Sequence, residues 1–231
     1  MKYQEKGDRF RVFGNDKIIK IDDWYWTSED VPAYEYLKDS HSNELECILP
    51  HLTGNKVAVQ AGGHCGFAAR ELLPYFETIY TFEPDNTMFT CLCLNVPEIN
   101  VYKMQACLGA THKLVSMSGN PICPHAGAKY VKGGGAIPML MIDDLALKAC
   151  SLIMVDLEGY ELEALNGAAD TIDKYHPLLC IERYWANRTL KSVNLSTPEQ
   201  QMDKFLEIYN YELVARTGEN NQDCIYKYKG E

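Results

Sequence analysis

Short apolar runs alternate with segments of helical period across residues 56–182, and that alternation narrows the possible folds more than any other feature. VAVQA (57–61) reads as a strand, broken by Gly62-Gly63-His64-Cys65-Gly66. FAARELLPYF then has helical spacing. TIYTF (78–82) is a second strand, closed by Glu83-Pro84-Asp85, and TMFTCLCLN a second helix. VYKMQACLG supplies one or two further strands. IPMLMIDDL and SLIMVDLEGY read as strands with acidic ends, ELEALNGAADTIDKY as a helix and PLLCIER as a strand. TPEQQMDKFLEIYN opens with a cap and a Pro at the first helical position. YELVAR and DCIYKY form a closing antiparallel hairpin across Gly218. Strands that alternate with helices predict an α/β fold, a doubly wound, mostly parallel sheet covered on both faces.

The flanks are different. Residues 9–21 suggest a hairpin, RFRVF and KIIKI around Gly14-Asn15-Asp16. An aromatic, acidic stretch follows, and Ser42 or Asn43 is placed to cap a helix carrying Leu45, Ile48 and Leu49 on one face. Residues 116–136 form a Gly/Pro-rich excursion. The expected organisation is an N-terminal hairpin and helical extension over 1–50 and a single α/β domain over 51–231, long enough to bury a core without staples.

A formal net charge of −10 disfavours a surface built to hold nucleic-acid phosphates. No run approaches the roughly 18 apolar residues of a membrane span, and the start has no apolar signal region. The nine cysteines are odd in number and contain no CxxC pair. They read as buried thiols in a reducing compartment, so a cytoplasmic location is expected. Cys123-Pro-His125 lacks partners for a zinc site. Asn187-Arg-Thr189 and Asn194-Leu-Ser196 match glycosylation acceptors but are read as chance in the absence of a signal.

Parallel sheets bind ligands at the carboxyl ends of their strands, so the residues just after VAVQA, TIYTF, QACLG and SLIMV matter most. Small residues at the first turn let a backbone approach a ligand closely. Glu83 lies 21 residues after Gly62 and ends the next strand, where a carboxylate can accept two hydrogen bonds from a ribose diol. The bland alternative is a tight turn beside a solvated helix-end acid. The dinucleotide fingerprint lacks its first glycine, since the frame is Ala61-x-Gly63-x-x-Gly66. A cofactor with a ribose and no pyrophosphate, S-adenosylmethionine, fits better than a nicotinamide dinucleotide.

Asp156 and Glu158 end SLIMV beside that cleft. Asp156 could take a substrate proton, orient a cofactor ammonium or bind a metal, or merely complement a helix dipole. Glu158 and Glu161 lean towards the dipole reading. Asp143 and Asp144 could join a metal cluster, but Asp143 is better read as the cap of DDLALKA, and no metal is expected. His64 could be a base or a backbone partner. Gly133-Gly134-Gly135 lacks the Lys and helix of a phosphate loop. Trp24, Tyr25 and Trp26 either cover a substrate or staple the N-terminal segment to the core.

VAVQAGGHCGFAA, TIYTFEPDNTMFTCLCLN, ACLG, IDDL and LIMVDLEGYELEALNGAADTIDKYHPLLCIE together resemble the FkbM family of class I S-adenosylmethionine-dependent methyltransferases. The pairing of FEPD with DLEGYELEALNGA is specific to it. The resemblance implies a Rossmann-like seven-stranded sheet with a reversed last strand, and methyl transfer to a hydroxyl of a sugar or small metabolite. It implies that Gln60, Ala61, Gly62, Gly63 and Glu83 line the cofactor, with His64 and Pro84 beside them, that Ala106 lies near the adenine, and that Asp156 faces the methyl group. The expected reaction is in-line displacement, with the acceptor oxygen held about 3 Å from the methyl carbon and Asp156 receiving the hydroxyl proton. The family carries an acid where Gln60 stands and a basic residue where Met154 stands. Those two departures motivate an alternative, a catalytically degenerate member that binds cofactor or a partner without transferring methyl.

Overall fold

The computed structural model describes residues 17–119, 129–183, 197–218 and 221–230. Its centre is a seven-stranded sheet built from β3 (Val57–Ala61), β4 (Thr78–Phe82), β5 (Val101–Met104), β10 (Leu152–Val155), β11 (Leu178–Glu182), β12 (Tyr211–Thr217) and β13 (Asp223–Tyr228). The order is β12-β13-β11-β10-β3-β4-β5. The five strands from β11 to β5 are parallel; β13 enters between β11 and β12 and runs antiparallel to both. The doubly wound sheet and its reversed last strand are therefore as expected.

Alternation along the buried strands supplies a core to each face. Val59, Ala61, Phe82, Ile153, Val155, Leu179 and Ile181 face α4 (Glu161–Asn166), α5 (Ala169–Tyr175) and α6 (Pro198–Ile208). Ala58, Ile79, Leu152, Met154, Leu178 and Cys180 face α1 (Val31–Ile48), α2 (Phe67–Leu72) and α3 (Asn86–Asn95). The predicted cap of α6 is present: the Thr197 hydroxyl accepts from Gln200 N–H, and the Gln200 side chain accepts from Thr197 N–H.

Several local expectations are corrected. KIIKI does form a strand, β1 (Ile18–Ile21), but its partner is β2 (Trp24–Thr27), reached through Asp22 at φ 51°. RFRVF lies outside the described residues. Helix α1 starts after Asp30, with a Pro in its first turn, so Ser42 and Asn43 sit inside it rather than at its cap. ELEALNGAADTIDKY is two helices separated at Gly167 and Ala168. Asp143 caps a different helix from the one expected: its carboxylate accepts from Asp170 N–H (3.1 Å) and Thr171 N–H (2.8 Å) at the start of α5.

β6 (Cys107–Leu108), β7 (Lys113–Gly119), β8 (Lys129–Gly133) and β9 (Ile137–Leu140) make a second sheet, ordered β6-β9-β7-β8. The Gly/Pro-rich excursion contributes strand to β7 and β8, which the sequence did not announce, while β6 and β9 fall within VYKMQACLG and IPMLMIDDL, expected as strands. Gly133 thus ends a strand. Cys123 and His125, and both glycosylation sequons, lie outside the described residues. Among the described residues no helix is long and apolar enough to cross a membrane.

Candidate functional site

The carboxyl ends of β10, β3 and β4 lie side by side, and the chain leaves β3 through the glycine turn. Gly62 N–H and Gly63 N–H both donate to the Phe82 carbonyl, at 3.1 and 2.8 Å, pinning the turn across the end of β4. Gly62 has φ +85°, and a Cβ there would lie 2.2 Å from the Asp156 carbonyl oxygen. At Gly63 a Cβ would lie 2.9 Å from Thr81 Oγ1 and 3.3 Å from Glu83 Cβ. Packing on both neighbours forbids a side chain at either position.

Glu83 is 6% exposed. Its Oε2 accepts from His64 N–H at 2.8 Å and its Oε1 from Asp85 N–H at 2.7 Å. Burial pushes its carboxyl pKa up against those two bonds, which favour the ionised form. Each oxygen keeps a lone pair for a further donor. A buried carboxylate with spare acceptor capacity beside a close-approach turn fits a ribose diol, so the residues present suit an adenosine-containing cofactor. Pro84 is half-buried and leads into α3. Asp85 caps α3 by accepting from Thr87 and Met88 N–H. Its other oxygen pairs with Lys129 Nζ of β8 at 2.5 Å, tying the second sheet to the site. That pair and the two amide bonds hold the Asp85 carboxyl below the usual carboxylate range, against the opposing effect of burial.

Gln60 is 2% exposed, and both ends of its amide are engaged: Nε2 donates to the Gly62 carbonyl (3.0 Å), and Oε1 accepts from the Thr81 hydroxyl (2.5 Å). It stands in register with Met154 on β10. Ala61 and Ala106 are buried in the core shared with Phe82, Ala106 just before β6. The His64 backbone is held at φ +45°.

Asp156 is exposed and follows β10; its N–H donates to the Ala61 carbonyl at 3.2 Å. The Val155–Ile181 register sets Asp156 beside Glu182 at the end of β11. The two carboxyl groups are therefore neighbours, and two like charges so placed disfavour joint ionisation. Burial, with the nearby Asp156 charge, pushes the Glu182 pKa far up. Glu161 is 4% exposed, and its Oε1 accepts from Leu157 and Gly159 N–H. Burial raises its pKa to about 7. Among the described residues no group of three or more His, Cys, Asp or Glu is placed to hold a metal ion.

Three contributors escaped the sequence reading. Glu182 was signalled in the way Glu83 and Asp156 were, as an acid ending a strand. Glu161, which the sequence suggests as a helix-dipole acid, is a buried brace for the loop after Asp156. Asn95 left no signal: buried at the end of α3, its Nδ2 donates to the Cys65 carbonyl (2.7 Å) and the Tyr25 carbonyl (2.8 Å), and its Oδ1 accepts from Tyr25 N–H (2.7 Å). It stitches the glycine turn to the N-terminal hairpin. The tryptophans act as staples there. Trp26 is fully buried and donates from Nε1 to the Asp30 carbonyl at 2.7 Å, and Trp24 packs on Phe67 with ring centroids 4.0 Å apart.

Sheet order, glycine turn and strand-end carboxylates define a Rossmann-like α/β protein of the methyltransferase type. The Methyltransferase FkbM domain matches residues 60–213, about two thirds of the chain, and the chain belongs to that family. Among solved structures, the methyltransferase FkbM of Methylobacillus flagellatus KT superposes with a TM-score of 0.52 at 22% identity, over 75% of this chain and 44% of that one. The chain therefore spans less than half the length of that protein. The putative methyltransferase yhhF of Escherichia coli gives 0.48 at 13% identity, over 90% of this chain and 93% of that one. The putative methyltransferase SMU.1697c of Streptococcus mutans, in complex with SAH, gives 0.45 at 10% identity, over 79% and 94%. No curated protein matches the sequence.

Proposed function

We propose that the chain is an S-adenosylmethionine-dependent O-methyltransferase acting on a hydroxyl of a small molecule or carbohydrate. The buried Glu83 carboxylate beside the Gly62–Gly63 turn carries this reading. When bound, S-adenosylmethionine supplies an already activated methyl group. The chain's part is then to bind, orient and manage one proton. Glu83 accepts the ribose hydroxyls with its free lone pairs, and Gln60 and Thr81 brace the turn from below. Asp156, exposed at the end of β10, receives the proton of the acceptor hydroxyl. Glu182 keeps its own proton, so the pair presents a single negative charge to the acceptor. The acidic surface favours a small or carbohydrate acceptor over nucleic acid.

One observation favours a second reading. Gln60 and Met154, both uncharged, face each other in register where the family carries an acid and a base. A chain that holds the cofactor without transferring methyl is compatible with that pairing. Calorimetric titration with S-adenosylhomocysteine, followed by labelled-methyl transfer to a panel of sugars and hydroxylated metabolites, separates the readings. Binding with Asp156-dependent transfer supports the enzyme, and binding without transfer to any member supports the second reading. Absence of binding removes both.

A further inference from the structure

The second sheet is tied to the strand ends of the first at two points. From β8, Lys129 Nζ reaches the Asp85 carboxylate, just after β4. From β7, Lys113 Nζ donates to the Tyr160 hydroxyl at 3.1 Å, in the loop after β10. Lys113, Val115 and Met117 alternate along β7, and Val131 and Lys129 of β8 stand opposite Met117 and Gly119, so these side chains share one face. That face is packed: Val115 is fully buried, and Met117, Val131 and Tyr160 pack with it. Since β3 lies between β4 and β10, the face reaches across the three carboxyl ends, from the Glu83 side to the Asp156 side.

The two lysines differ in what neutralises them. Lys129 has the Asp85 carboxylate, whereas Lys113 has no carboxylate within ion-pair distance among the described residues; what it meets is the Tyr160 hydroxyl and ring. An ammonium has three donors and no acceptor, and a phenol hydroxyl that accepts from Lys113 still has its own O–H to give. The pair therefore offers donors and a positive charge. Its complement is a group of negatively charged, acceptor-only oxygens, a carboxylate or a phosphate. In a chain of net charge −10, with Asp156 and Glu182 at neighbouring strand ends, an anion can settle only against a fixed cation. We propose that Lys113 and Tyr160 bind an anionic group of the methyl acceptor, so that the acceptor is an acidic sugar or hydroxy acid rather than a neutral alcohol. The inference rests on the methyltransferase reading and deepens it: Asp156 receives the proton of the reacting hydroxyl, and the pair in the loop that follows selects which molecules present one.

The test is calorimetry on the full chain saturated with S-adenosylhomocysteine and titrated with matched probes: glucose against glucuronate and glucose 6-phosphate, and catechol against protocatechuate. The acidic members should bind about tenfold more tightly than their neutral partners, the difference made by one charge-assisted contact. Lys113→Met and Lys113→Gln should each abolish that preference, Lys113→Arg should keep most of it, and Tyr160→Phe should lose part. An affinity for S-adenosylhomocysteine within about twofold of the unaltered chain shows that each variant keeps its fold and cofactor site. Preference for glucuronate and protocatechuate supports the inference with a carboxylate as the group, and preference for glucose 6-phosphate supports it with a phosphate. No preference for any acidic member, or a preference that survives both Lys113→Met and Lys113→Gln, overturns the inference and leaves the methyltransferase reading standing. If S-adenosylhomocysteine itself does not bind, that reading falls and this inference with it.

Discussion

A carboxyl group as deeply buried as that of Glu161 holds its proton to unusually high pH. Its pKa of about 7 in the folded chain lies above the ordinary 4.5, so folding binds the proton. The stabilisation from that proton is complete below pH 4.5 and is lost as pH rises through about 7. Glu161→Gln keeps an amide oxygen for Leu157 and Gly159 N–H but cannot ionise. Relative to the unaltered chain it should gain up to about 3 kcal/mol between pH 4.5 and about pH 8. Urea midpoints at the two pH values measure this, and parallel pH curves for the two proteins would refute it. The same scale shows what a sequence discloses about single residues. Glu83 and Asp156 are legible because each acid ends an apolar run, and topology turns that position into a cleft. Asp143 is legible as a cap but not as the cap of α5, because its partners lie 27 and 28 residues away. Asn95 is illegible, since nothing in TMFTCLCLN says that its last residue bonds to Tyr25, 70 positions earlier.

Asn95 has its consequence at the level of elements, because one amide joins α3, the hairpin and the glycine turn. Asn95→Ala removes three hydrogen bonds and leaves the Tyr25 N–H and the Cys65 carbonyl without that partner. The expected destabilisation is about 3 kcal/mol, read as a lower urea midpoint at unchanged slope. The turn should also loosen, giving faster amide exchange at Gly62, Gly63 and His64. A midpoint shift without that change in exchange would mean that the hairpin and turn are held independently. Strands and helices with a clear pattern were legible for an equally local reason: a buried parallel strand such as β10 is apolar throughout, and α6 carries a complete capping box. In the second sheet only β6 and β9 were legible, within VYKMQACLG and IPMLMIDDL. β7 and β8 are half-exposed, and their glycines, serines and lysines follow no strict alternation. The start of α1 was misread because Ser42 and Asn43 are cap-forming residue types, whereas a helix can also begin on Pro.

At the scale of the whole molecule, the last strand decides the fold. β13 is the partner of both β11 and β12, and β12 has no other neighbour in the sheet. β13 also brings Cys224, Ile225 and Tyr226 into the cores on the two faces. β13 pairs locally with β12 and reaches back from Tyr226 to Leu179 on β11, so β12 joins the sheet only through a contact of long sequence separation. Deleting residues 219–231 should therefore do more than remove an edge. It exposes the backbone edge of β11 and strands β12, and Arg183 loses the Tyr226 hydroxyl it donates to at 2.7 Å. The shortened chain is expected to lose its cooperative thermal transition and to bind a hydrophobic dye while keeping far-ultraviolet helix signal, the behaviour of a collapsed state without fixed packing. A cooperative transition at the full-length midpoint would instead show that the five parallel strands and their helices fold as a unit. In that case S-adenosylhomocysteine binding should survive as well, since Glu83, the glycine turn and Asp156 all lie on β4, β3 and β10 and none on the reversed strand.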